Sequence, residues 1–154
     1  MVDVVDNDAA MRKFAAGMPV PNFEETSFTR PKPLSSAKVA IVTSAAIYRE
    51  GGSGFVGNDF HYETLPKDAR DLKLGHLSPN LDRGGFAADI NVAYPIDRLN
   101  ELAEKGVIGE VAQHHYSFAG NQPETVSELR LDTGPQCAQD MLNEGVDVVL
   151  LTPV

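Results

Sequence analysis

The hydrophobic pattern is strongest at the end of the chain. Val146, Val148, Val149, Leu150 and Leu151 form a short, nearly continuous apolar run between Gly145 and Pro153. Such a run reads as a strand buried on both faces of a parallel sheet. Lys38 to Ser44 is a second strand, apolar and β-branched, ending in the hydroxyls Thr43 and Ser44. Asp59 to Pro66 and Leu72 to Ser78 alternate apolar and polar positions and read as strands. Another strand is expected within Val107 to Phe118, over Gly109 to Ser117. Asp97 is placed as the N-cap of a helix whose buried face is Leu99, Leu102 and Ala103. Glu101 and Lys105 form an i, i+4 pair on it, and Gly106 ends it. Thr133 and Gln136 have capping-box spacing with Pro135 in the first turn, so a second helix is expected there. Cys137, Met141 and Leu142 mark its buried side, and Gly145 ends it. That helix and the strands on either side form a βαβ unit. Pro79 to Gly85 is turn chemistry.

These elements predict an α/β fold: a three-layer αβα, Rossmann-like domain on a mostly parallel sheet, spanning residues 38–154. It is expected to be incomplete at the C-terminus. Residues 1–37 read differently. Pro19, Pro21, Pro31 and Pro33 forbid a continuous helix across them. Met11 to Ala16 is expected to make a turn or two of helix, and the rest an extended arm.

Composition narrows the function classes. A chain of 154 residues holds one domain with a real core. The net charge of −9 argues against nucleic acid and anionic membrane as partners, since either needs a basic face. The single cysteine, Cys137, excludes a disulfide framework and a multi-cysteine zinc site. The acidic N-terminus lacks a signal pattern, and no apolar run reaches the roughly 18–20 residues of a membrane span. A cytoplasmic protein is expected.

In open α/β sheets, ligands bind beyond the carboxyl ends of the strands. Thr43 and Ser44 end a strand there, to meet a ligand or to cap the following turn. Gly52, Gly54 and Gly57 match G-x-G-x-x-G spacing but lead into a strand pattern, so a flexible loop is expected rather than a phosphate cradle. His114 and His115 are adjacent on a strand and point to opposite faces, so they cannot chelate one metal together. No metal-ligating or cofactor-binding residue is assigned. His76, at a strand end, is a candidate for an acid, a base or a substrate hydrogen bond, or is a structural histidine. Asp132-Thr-Gly134 spells the aspartic-protease triplet but opens a helix, where capping explains it. Cys137 lies on an apolar helix face, as an inert core thiol does, so no convincing nucleophile is present.

Five segments stand in an order that resembles a known family. They are Gly57 to Pro66, Leu74-Gly-His76, Asp89-Ile-Asn91 with Tyr94-Pro-Ile-Asp97, Phe118-Ala-Gly120 and Glu144 to Thr152. The resemblance is to the selenoprotein B family of glycine, sarcosine and betaine reductases, and within it to the selenocysteine-containing subunit of D-proline reductase. It implies reductive cleavage of a C–N bond in an amino acid or betaine-like substrate. It also implies a pyruvoyl group on a partner subunit, a thioredoxin-like dithiol donor and a homo- or hetero-oligomer. By position it places selenocysteine, or cysteine, just after Val154, so the 154-residue form is expected to be inactive alone. Carried over by position, His76, Asp89, Asn91 and Asp97 are the substrate-pocket candidates. Asp97 also reads as a cap and Asn91 as a turn residue. The alternatives are a non-catalytic binding or assembly module of the same fold, and a Rossmann-like nucleotide- or flavin-binding domain. Loss of downstream elements would expose one side of the last strand, and association is expected from it.

Overall fold

A computed structural model describes residues 4–17, 27–57, 59–78, 83–120, 122 and 127–154. The chain divides into two units, residues 1–30 and 31–154. The first contains helix α1 (Val4–Ala16), longer than the expected turn or two. Ala9, Ala10, Met11, Arg12 and Lys13 are strong helix formers, and no proline precedes Pro19, so propensity outweighs the weak apolar period.

The second unit is a mixed α/β domain. Its strands are β1 (Lys38–Thr43), β2 (Ile47–Arg49), β3 (Tyr62–Pro66), β4 (Leu72–Leu74), β5 (Glu110–Val111), β6 (His114–Phe118) and β7 (Val148–Thr152). Its α-helices are α2 (Arg83–Ala88), α3 (Ile96–Glu104) and α4 (Gly134–Glu144). β1 is central. It pairs in parallel with β5 and β6 on one side and with β7 on the other. β3 adds an antiparallel edge to β6, while β2 and β4 form a separate antiparallel pair. Gly84 and Gly85 lie inside α2, although their composition reads as turn. Residues 79–82 of that turn lie outside the described residues. Among the described residues no helix is long and apolar enough to cross a membrane.

The single strand expected over Gly109 to Ser117 is broken at Ala112 and Gln113. Ala112 N–H donates to Val39 O (2.9 Å), but Ile41 N–H donates to the ring Nδ1 of His115 (2.9 Å). An imidazole thus replaces a backbone acceptor where the strand slips. Glu144, at the end of α4, holds the break from outside. Its carboxylate accepts from Gln113 N–H at 2.5 Å and meets His114 Nδ1 at 2.9 Å. His114 and His115 do face opposite ways: His115 is fully buried and His114 is exposed.

The register assigns faces by the two-residue period. Val39, Ile41 and Thr43 share one face with Leu65, His115 and Ser117. On it Tyr94, Ile96 and Leu99 complete the main core, and of the expected α3 face Leu99 lies in it with Leu102 and Ala103 packed against it. The other face carries Tyr62, Tyr116 and Phe118, whose rings touch. There Tyr62 Oη donates to Asp140 of α4 at 2.6 Å.

Four local expectations change. α3 begins at Ile96, and its first turn is capped by Asn91, whose Oδ1 accepts Asp97 N–H at 3.0 Å. Asp97 lies inside the helix. Thr133 makes no cap, because a wide π-type turn over Leu129–Thr133 already runs into α4 and Thr133 has helical backbone angles. Gly145 does end α4, in the left-handed conformation (φ 78°) that glycine adopts without strain. Finally, β7 is not buried on both faces. Among the described residues it pairs only with β1, and Leu151 is 69% exposed. Leu142, expected on the buried side of α4, is exposed too.

Candidate functional site

β1, β6 and β7 run parallel, so their carboxyl ends meet at one edge of the sheet. Two threonines fasten a loop there. Thr43 Oγ1 and Thr152 Oγ1 each donate to Ala93 O, at 3.0 and 2.9 Å. Ser44 ties the tip of β7, since Val154 N–H donates to its Oγ at 2.9 Å. The hydroxyls that end β1 therefore hold neighbouring backbone.

His76 reaches this edge from the loop after β4. Gly75 N–H donates to Ala46 O at 2.8 Å, and a Cβ on Gly75 would sit 2.7 Å from that same oxygen. Only glycine allows the loop so close. His76 is 6% exposed. Its Nδ1 accepts Ser78 N–H at 3.2 Å, and its carbonyl accepts from Arg83 Nη2 at 2.7 Å. A second glycine receives the ring. A Cβ on Gly120 would meet Ser44 O at 2.8 Å, His76 Nε2 at 3.0 Å and Val154 O at 3.3 Å. His76, Ser44, Gly120 and Val154 thus converge from four separate segments.

Asp89, Asn91 and Asp97 form a knot of their own at the start of α3. Asp89 Oδ1 accepts from Asn91 N–H (2.9 Å) and Asn91 Nδ2 (2.8 Å). Asn91 Nδ2 also donates to Asp97 Oδ2 at 3.0 Å. The Asn91 side chain and then its backbone N–H hold the Asp89 carboxyl below the ordinary range. The knot shapes the loop whose Ala93 carbonyl the two threonines clamp. Its hydrogen bonds run among its own members and not to His76.

Another imidazole lies beside the tip of β6. His61 pairs with Asp59 and stacks on Phe55, ring centres 4.7 Å apart. Burial opposes the Asp59 carboxylate, yet hydrogen bonds from His61 and Val56 N–H hold its pKa below the usual value. Gln122 joins this corner to the sheet, its Nε2 donating to Asp59 O (3.2 Å) and Ala119 O (2.6 Å).

Cys137 is 2% exposed, and burial, then Asp140, pushes its thiol up to about 12. It is held as the unreactive thiol. Gly52, Gly54 and Gly57 lie between β2 and β3, and among the described residues no helix follows them directly. A cleft of about 370 Å³ lies on the other face, lined by Thr64, His114, Tyr116, Asp140, Asn143 and Glu144.

Residues 70–154 match the family described as Glycine/sarcosine/betaine reductase selenoprotein B (GRDB). The chain belongs to this family. It is 34% identical over 124 residues to D-proline reductase subunit gamma of Acetoanaerobium sticklandii, covering 79% of this chain and 50% of that protein. It is 27% identical over 141 residues to glycine reductase complex component B subunit gamma of Peptoclostridium acidaminophilum, covering 87% and 32%. It is 26% identical over 161 residues to sarcosine reductase complex component B subunit beta of the same organism, covering 98% and 36%. The chain therefore spans about half of the first relative's length and about a third of the other two. No solved structure matches.

Within the selenoprotein B match lie all four residues picked from the sequence: His76, Asp89, Asn91 and Asp97. The fold brings the last three together and sets His76 apart, against Ser44 and Gly120. Sequence reasoning missed Arg83 and Gly120 as parts of the His76 corner, because neither is close to the other in the chain. The Asp59–His61 pair had a local signal. Its i, i+2 spacing in an extended segment puts both side chains on one side.

Proposed function

We propose that this chain is the front part of a selenoprotein B-type reductase subunit. The enzyme reductively cleaves a C–N bond of an amino acid or betaine-like substrate in the cytoplasm. The observation that carries the reading is the family match, together with relatives named as D-proline, glycine and sarcosine reductase subunits. On this reading the redox residue, selenocysteine or cysteine, follows the tip of β7 in a longer form of the protein. Elements of that longer form complete a three-layer αβα, Rossmann-like domain. A pyruvoyl-bearing partner subunit completes the hetero-oligomer, and a thioredoxin-like dithiol donor is its separate reductant. The selenium or sulfur group supplies two-electron attack, and the pyruvoyl group supplies activation of an amine.

What this chain's own residues do is narrower. Ser44 holds the tip of β7 through Val154 N–H. Thr43 and Thr152 clamp the Ala93 loop, and the Asp89–Asn91–Asp97 knot stiffens it. His76 presents its ring beside that tip. Cys137 does not serve as the nucleophile, since its thiol is buried and protonated.

The test is substrate-dependent oxidation of dithiothreitol by the longer reading frame, read through any in-frame UGA and mixed with its partner subunits. Turnover by the longer form and none by the 154-residue form supports the reading. Turnover by the 154-residue form, or the absence of any coding frame after Val154, overturns it.

One observation favours a second reading. The outer edge of β7, unpaired among the described residues, and the exposed Leu151 suit a non-catalytic assembly module of the same fold. A stable complex with a pyruvoyl-bearing subunit, with no coding frame after Val154, would favour that module.

A further inference from the structure

The seam between a helix and a sheet is where an α/β layer hides apolar side chains. Part of the seam under α4 is polar instead. His114 and Tyr116 alternate onto one face of β6, and Thr64 of β3 stands in register beside Tyr116. Asp140, Asn143 and Glu144 lie on one face of α4 at i, i+3 and i+4 spacing. These six residues line the cleft of about 370 Å³. Its floor is the informative part. Tyr116 is 3% exposed, lines the cleft, and makes no hydrogen bond through its hydroxyl among the described residues. Burial, then Asp140, Cys137 and Glu144, push the phenol up to about 12, so its hydroxyl stays protonated and lies within the field of both cleft carboxylates.

The two carboxylates differ in what they have left to give. Glu144 is used on both oxygens, by Gln113 N–H and by His114 Nδ1. Asp140 accepts only from Tyr62 Oη at 2.6 Å among the described residues, and a carboxylate has about four acceptor sites. Among the described residues no lysine or arginine lines the cleft. A cleft walled by one sign of charge concentrates the opposite sign. Its oxygens are not grouped for a metal, since no cluster of three or more His, Cys, Asp or Glu among the described residues is arranged to hold one. They do suit a cation that carries its own N–H donors, and an alkylammonium has three. We propose that this cleft binds the ammonium group of a small primary amine, with Asp140 as its counter-charge and Tyr116 Oη as a second acceptor. The site stands on the α4–sheet seam alone and does not rest on the reductase reading.

The probe is ethylammonium chloride. The 154-residue chain is labelled with ¹³C at the Cζ of its four tyrosines, Tyr48, Tyr62, Tyr94 and Tyr116. It is titrated at constant ionic strength against sodium chloride and against tetramethylammonium chloride, a cation without N–H donors. The Tyr116 signal is assigned by its loss in Tyr116→Phe. A saturable shift at Tyr116 with ethylammonium, and none with the other two cations, is expected. Asp140→Asn should weaken the apparent affinity about tenfold or more, the scale of one charge-assisted bond. Asp68→Asn, which removes the same charge outside the cleft, should leave it unchanged. Tyr94 packs in the main core on the opposite face, so its unmoved signal shows that a variant is folded. Tyr116→Phe, read at Tyr62, provides a second variant and should weaken binding about threefold, the scale of a neutral hydrogen bond. A Tyr116 signal that ethylammonium does not move overturns the site. So does an equal shift with tetramethylammonium, or an affinity that Asp140→Asn leaves intact.

Discussion

At Ile41 the ladder of β1 takes its acceptor from an imidazole instead of a carbonyl. His115→Leu fills similar space but leaves the Ile41 N–H buried and unpaired. A loss of about 1–3 kcal/mol in urea unfolding is expected, the cost of an unsatisfied buried donor. Burial lowers the His115 pKa from 6.5 to about 4. Between those values the unfolded chain binds a proton that the folded chain refuses, so this contribution is whole above pH 6.5 and falls away as pH drops toward 4. The urea midpoint of the parent should decline over that window, and His115→Leu should show a flatter decline. Gly120 and Gly57 make a contrasting pair. Gly120→Ala forces a Cβ against Ser44 O and His76 Nε2, and should cost about 1–3 kcal/mol while shifting the His76 ring signals. Gly57 has nothing within 4 Å of an added Cβ. Gly57→Ala should stay within about 0.5 kcal/mol of the parent, the scale of an ordinary surface change. At Cys137 burial predicts chemical silence. Iodoacetamide at pH 8 should label it far more slowly in the native chain than in urea, and equal rates would show that the thiol is accessible.

Capping separates what is local from what is tertiary at the scale of elements. Both helix starts are visible as composition, yet in both the expected capping residue is not the one that caps. For α3 the acceptor is Asn91, six residues ahead of the N–H it receives. Asn91→Ala should cost about 1–2 kcal/mol in thermal or urea unfolding, whereas Asp97→Asn, which keeps an acceptor for Asn91 Nδ2, should cost less than about 1. For α4 the Thr133 hydroxyl is sealed without a partner among the described residues. Thr133→Val removes that hydroxyl at constant shape, so it should be neutral or stabilising. A true N-cap would instead lose about 0.5–2 kcal/mol on such a change. The sign of the measured shift decides between the two pictures.

At the scale of the whole molecule, β7 is the open flank. Among the described residues it pairs with β1 alone, and Val149, Leu150 and Leu151 are all exposed on it. By the two-residue period, Val148, Leu150 and Thr152 turn their backbone groups toward β1 on the Ser44–Thr152 pattern, leaving those of Val149 and Leu151 at the edge. An apolar edge with unpaired backbone favours association. The 154-residue chain should therefore sediment as oligomers at micromolar concentration, and Leu151→Lys should shift it toward monomer without lowering the urea midpoint. A monodisperse monomer in the parent would contradict this account.

Much of the element map was legible in the sequence. β1, β7, the Leu99 face of α3, the burial of Cys137 and the stop at Gly145 all follow from period and turn chemistry that act over a few residues. The candidate site was legible in part. His76 stood out as a histidine at a strand end, and Asp89, Asn91 and Asp97 through family likeness. Their grouping was not legible, because it depends on register and loop docking between distant segments. Tertiary packing put the imidazole of His115 into the β1 ladder and broke the strand beside it. It gave the α3 cap to Asn91, left β7 at an edge, and pressed His76 against Gly120 beside Ser44. Each outcome depends on what lies across the sheet from a residue, and the pattern along the chain carries no record of that neighbour.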